Sequence, residues 1–96
     1  MFCRILGKRW NLRFTPLKIN RGECDAPATP RKQIRIDSRL QDQEQLEVIL
    51  HELMHAANWS LDEDHITATG KDFAAILWRL GYRKTERATG QGMANP

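Results

Sequence analysis

The hydrophobic period of this 96-residue chain changes once, close to Asp42, and that change commits it to strands first and helices afterwards. Before it, RWNLRF alternates strictly, with Trp10, Leu12 and Phe14 on one side and Asn11 and Arg13 on the other, the pattern of a half-buried strand. FCRIL precedes it across Gly7-Lys8, read as a two-residue hairpin turn with glycine first. QIRID offers Ile34 and Ile36 as a third short strand. Between them NRGECDAPATPRK carries one glycine and two prolines; Pro27 and Pro30 would interrupt a ladder, so an irregular loop is expected.

From Asp42 the period is that of a helix. Asp42 with Gln45 three positions on reads as a capping box, and Leu46, Ile49, Leu50, Leu53 and Ala57 recur on one stripe expected to face the sheet. At 100° per residue from Leu46 those five span about −60° to +40°, whereas His51 and His55 fall near 140° and 180°. Glu52, Val48 and Trp59 share that second, chemically loaded face. A second helix follows in DEDHITATGKDFAAILWRLGY, with Ile66, Phe73, Leu77 and Leu80 on one stripe and Gly81 placed to stop it. The expected architecture is α+β: a small antiparallel sheet of about three strands packed on two helices. It forms one domain over residues 1–83, with a frayed tail over 84–96.

Composition narrows the classes. A 41% hydrophobic content suits one modest core, and no stretch approaches the ~18 apolar residues of a membrane span, so a cytoplasmic protein with no membrane partner is expected. Cys3 and Cys24 are too few for a disulfide scaffold and read as reduced thiols. The charge is divided. Residues 1–40 carry ten Lys or Arg against three acids, residues 41–70 carry seven acids and no Lys or Arg, and residues 71–96 carry five bases against two acids. The acidic block should attract a cation and disfavour nucleic acid at its own surface, while the basic N-terminal region leaves nucleic acid open as a partner.

All three histidines, His51, His55 and His65, lie within that acidic block, in HELMHAANWSLDEDH. Two histidines at i and i+4 on a helix project side by side, close enough to share one Zn²⁺, and the glutamate between them stands at the metal's open position. His51, Glu52 and His55 fit that template, and chance placement in a chain of this composition is expected only about half a per cent of the time. Glu52 would then act as general base on a water attacking a carbonyl, the chemistry of peptide hydrolysis, with polypeptide as substrate.

A catalytic zinc needs a third protein ligand, and Asp62, Glu63, Asp64 and His65 are the candidates. Asp62 and Glu63 lie within about 60° of Ile66, Asp64 points away, and His65 sits beyond the edge of the stripe. Glu63 is favoured over Asp62 and His65, although Ser60-Leu61-Asp62-Glu63 is also a capping-box pattern in which Glu63 would merely bind a backbone N–H.

HELMHAANW followed by TGKDFAAILWRLG resembles the SprT-like and related minimal zincin metallopeptidases, including small phage-type members, over about residues 33 to 83. The resemblance implies that His51 and His55 bind zinc, that Glu52 is the base, and that the strand around Ile34–Asp37 borders the cleft and pairs with an extended substrate. SprT-like proteins commonly place the third ligand in His-Gly-x-x-Phe; here the matching residues are Thr69-Gly70-Lys71-Asp72-Phe73, and threonine does not replace that imidazole. A complete site then requires a ligand one or two turns upstream, at Glu63 or His65. The extra cysteine-rich zinc segment common in DNA-acting members has no counterpart here. Two functions follow as alternatives: a small zinc-dependent peptidase, or a non-catalytic zinc-stabilised module that binds nucleic acid or a partner protein.

Overall fold

A computed structural model describes residues 1–85; of the tail expected over 84–96, residues 86–96 lie outside the described part. The chain is α+β, as its periods imply. Strands β1 (Phe2–Ile5), β2 (Lys8–Thr15), β3 (Gly22–Cys24) and β4 (Gln33–Asp37) form one sheet, followed by helices α1 (Asp42–Ala57) and α2 (Glu63–Arg79). The spatial order is β1-β2-β4-β3. β1 pairs with β2 and β3 with β4 in antiparallel fashion, but β2 and β4 run parallel, with Leu12 opposite Ile34 and Phe14 opposite Ile36. The sheet is thus mixed and four-stranded rather than antiparallel and three-stranded. Alternation fixes that a strand is half-buried but says nothing of its neighbour's direction.

The additional strand lies in the segment expected to be a loop. Gly22–Cys24 ends before Pro27 and Pro30, so neither proline meets the ladder. Arg35 secures this short strand. Its Nε donates to Glu23 Oε1 at 2.9 Å and its Nη2 to Asp25 Oδ1 at 2.7 Å, while Asp25 Oδ2 accepts from the Gln33 backbone at 2.8 Å. These bonds hold both carboxyls below their usual range. The first hairpin turns at Leu6-Gly7, one residue earlier than expected, with positive φ at both (51° and 78°), as a type I′ turn requires.

Trp10, Leu12, Ile34 and Ile36 from the sheet and Val48 and Ala56 from α1 are buried together, with Ile49 and Leu53 packed at the margin. The sheet-facing side of α1 is therefore centred on Val48, Glu52 and Ala56, and the expected stripe is rotated from it. The reason is that α1 is gripped on two sides. α2 lies against it at Gly70, where an added Cβ would stand 3.2 Å from Met54 Cε and 3.7 Å from His51 Cα. A helix with two apolar neighbours has no single buried stripe for a period to locate. The Asp42–Gln45 capping box does not form either. Gln41 is the N-cap, without a side-chain bond, Asp42 already lies within the helix at φ 56°, and Gln45 instead donates its amide to the Leu40 carbonyl. No described helix is long and apolar enough to cross a membrane.

Candidate metal centre

The loop Asn58–Asp62 turns the chain so that the start of α2 meets the middle of α1. Asp62 is the N-cap of α2, its Oδ2 accepting from the His65 backbone N–H at 3.1 Å. The side-chain cap of α2 therefore belongs to Glu63's neighbour, and Ser60 Oγ donates to Asn58 Oδ1 instead of accepting from a helix N–H. Released from capping, Glu63 directs its carboxylate at the two histidines. Oε2 stands 3.1 Å from His51 Nε2 and Oε1 stands 2.9 Å from His55 Nε2.

His51 and His55, one helical turn apart, bring their own Nε2 atoms to 3.2 Å, with the rings 4.9 Å apart edge to face. Ligand atoms of His51, His55 and Glu63 all lie within 4.8 Å of one another, the group of His, Asp, Glu or Cys side chains among the described residues suited to one cation. Two atoms bound to one zinc at tetrahedral angles are ~3.3 Å apart, so these spacings fit an ion with borderline nitrogen and oxygen preferences. Asp62 and His65, the other candidates, stay outside: Asp62 caps the helix and the His65 side chain is exposed.

Glu52 lies in the same cleft and is the exception in the sheet-facing side of α1, a carboxylate only 7% exposed. Burial first, then the charges of Glu63 and Glu23, push its pKa up to about 7. Its position depends on β3. The Gly22 backbone comes so close that a Cβ there would lie 2.8 Å from Glu52 Oε2, 2.9 Å from Glu52 Cγ and 2.7 Å from Val48 Cγ1. Glycine is the residue that permits this approach.

The cleft holds about 540 Å³ and opens between α1, the start of α2 and residues 20–24. Trp59 also lines it, its ring 6.2 Å from that of His55. The contribution of residues 20–24 was not legible as a site wall. The glycine in that segment was its sole signal, and it reads equally well as a turn residue. Cys24 faces the cleft as a half-buried thiol whose pKa is raised to about 12, chiefly by burial and then by Glu52 and Asp25. Such a thiol is a poor nucleophile near neutrality. β4, expected to border the cleft and receive substrate, has β2 on one side and β3 on the other; β3 is the strand at the margin.

A helix carrying two paired histidines, packed on a mixed sheet and met by a carboxylate from the next helix, is the arrangement of a zincin-like, metallopeptidase-related domain. The family model described as the IrrE N-terminal-like domain, named as a peptidase, matches residues 10–77, and the chain belongs to that family. The match bears out the zincin-like content of the resemblance carried by HELMHAANW; the SprT-like branch is not what it reports. No curated protein and no solved structure matches the chain.

Proposed function

We propose that the protein is a small zinc-dependent metallopeptidase, its single domain formed by residues 1–83, with His51, His55 and Glu63 as metal ligands and Glu52 as general base. The observation that carries this is the convergence of three ligand side chains beside a buried glutamate that forms no ion pair with a described residue. Zinc, when bound, supplies the Lewis acidity that polarises a scissile carbonyl and makes a water nucleophilic near pH 7. Glu52 takes the proton of that water and returns it to the departing amine. Burial around Glu52 keeps its carboxylate poorly hydrated and so prepared to accept a proton.

Polypeptide is the substrate class that the cleft suits. β3 has one edge on β4, and its other edge belongs to the cleft wall, so an extended peptide can align along Gly22–Cys24. Kinship with small SprT-like members is the finer part of this reading, supported by HELMHAANW and TGKDFAAILWRLG. The cytoplasm is the proposed compartment, since the two free thiols, Cys3 and Cys24, suit a reducing one. The nucleic-acid alternative gains little from the basic N-terminal region. Three of its ten bases, Arg21, Arg35 and Arg39, are taken up in ion pairs with Glu44, with Glu23 and Asp25, and with Asp37. The rest are spread over strands and loops, more often a solvated face than a binding site.

The test is Glu52→Gln assayed on an unfolded polypeptide with zinc content measured in parallel. Retained metal with hydrolysis lowered by ~10²-fold or more supports the assignment. Equal turnover by the variant removes Glu52 from the mechanism.

A further inference from the structure

The apolar stripe of α2 is only partly used by the fold. Ile66, Gly70 and Ala74 are buried against the rest of the molecule, but Phe73, Ile76 and Leu80 are 50%, 46% and 68% exposed. At 100° per residue these three fall within an arc of about 60°, a continuous apolar band. Together they offer roughly 300 Å² of apolar surface, within the range of the largest patch on a typical monomer, which is often functional. Along one flank of the band stand Asp72 and Arg79, within about 20° of each other around the helix and opposite in sign. Neither forms an ion pair with a described residue.

We propose that this face of α2 binds the same face of a second copy, the two helices running antiparallel about a two-fold axis between residues 75 and 76. The charge pattern selects that arrangement. In antiparallel helix pairs, residues on the same flank meet, so this axis sets Asp72 of each copy beside Arg79 of the other, twice per dimer. In a parallel pair about a two-fold axis along the helices, the flank carrying Asp72 and Arg79 would lie beside the opposite flank of the other copy, and neither charge pair would form. The same axis lodges Phe73 between Ile76 and Leu80 of the second copy and brings the two Ile76 side chains together at the centre. Glu63 and Thr67, which line the cleft, lie about 80° to 120° around the helix from Phe73, so pairing leaves the cleft open. The patch is small beside the ~1,200 Å² of total buried area typical of stable complexes, so the dimer is weak, with Kd of order 0.1 mM.

Sedimentation equilibrium of the full chain from about 10 µM to 1 mM tests this without any need for activity or metal. The average mass should rise from 11.1 kDa towards twice that value. Ile76→Asp should hold the protein monomeric, and Phe73→Ser gives the same reading should Ile76→Asp fail to fold. Asp72→Arg should weaken association about tenfold or more, and the double variant Asp72→Arg, Arg79→Asp should recover it. A monomer at every concentration overturns the proposal, and assigns the band to another occupant. Association untouched by Ile76→Asp and Phe73→Ser, or charge reversal without recovery in the double variant, overturns it equally.

Discussion

Replacing Gly22 by alanine adds one methyl group where β3 meets α1, and the structure allows its cost to be worked out. The new Cβ would stand 2.7 Å from Val48 Cγ1 and 2.8 Å and 2.9 Å from Glu52 Oε2 and Cγ. Carbon atoms rest at about 3.5–4.0 Å, so the nearest contact falls short by ~0.8 Å. Val48 and Glu52 are both buried, 4% and 7% exposed, and neither can swing away into solvent. Overpacking of this kind costs about 1–3 kcal/mol, and losing a glycine from extended backbone returns about 0.5–1 kcal/mol. The net expectation is a destabilisation of about 1–2 kcal/mol, read from urea unfolding of the metal-free protein. Two other glycines set the scale. Gly70→Ala meets the flexible end of Met54 at 3.2 Å and should cost less. Gly7→Ala meets nothing within 4 Å, so its cost is confined to the strained φ of +78°. Because the displaced group at Gly22 includes Glu52, hydrolysis should fall further in Gly22→Ala than in either control, with zinc affinity unchanged. Gly22→Ala as stable as the wild type would refute the close approach of β3 to Glu52.

Glu63→Gln should cut zinc affinity by about 100-fold or more, measured by chelator competition, whereas Asp62→Ala should cost about 0.5–2 kcal/mol of stability and leave the metal in place; the reverse pattern would return Glu63 to a capping role. Glu23 and Asp25 have carboxyls held below their ordinary values of 4.5 and 3.8, most strongly by their hydrogen bonds to Arg35. A depressed carboxyl contributes stability above its unfolded pKa and loses it as pH falls through the folded one. The stability gap between the wild type and Arg35→Gln should therefore be full at pH 6 and shrink as the pH drops below about 4, as urea midpoints would report. Ile34→Ala, at a position with no exposure, should cost about 2–5 kcal/mol in the same assay; a loss below 1 kcal/mol would contradict the placement of Ile34 at the centre of the core.

Features set by neighbours in sequence were legible from it, and features set by neighbours in space were not. Alternation through Trp10 and Leu12 and the change to helical period at Asp42 depend on residues a few positions apart, and both read correctly. Phe14, third in the same alternation, is 38% exposed because it lies near the end of β2. β3 escaped because three residues give too short a run for any period, and its stability comes from Arg35, whose two ion pairs span twelve and ten positions. The sheet-facing side of α1 was displaced because α2 covers another side. On α2 the stripe named Ile66, which is fully buried, but also Phe73 and Leu80, which are exposed; the other buried residues are the smaller Gly70 and Ala74, which a hydrophobic count passes over. The candidate site divides in the same way. His51, Glu52 and His55 are related by one helical turn, so their spacing alone implied a shared face. Choosing among Asp62, Glu63 and His65 required the path of the loop Asn58–Asp62, which sequence periodicity does not describe.

X-ray absorption at the zinc edge, on the protein loaded with one equivalent of zinc, reads the ligands of the proposed site itself. Two imidazole nitrogens at ~2.0–2.1 Å are expected, with the remaining positions filled by oxygen at ~2.0–2.2 Å, from Glu63 and solvent. Sulfur at ~2.3 Å would place Cys24 on the metal, and a first shell without two imidazoles would remove His51 and His55 as a pair; either result contradicts the site described.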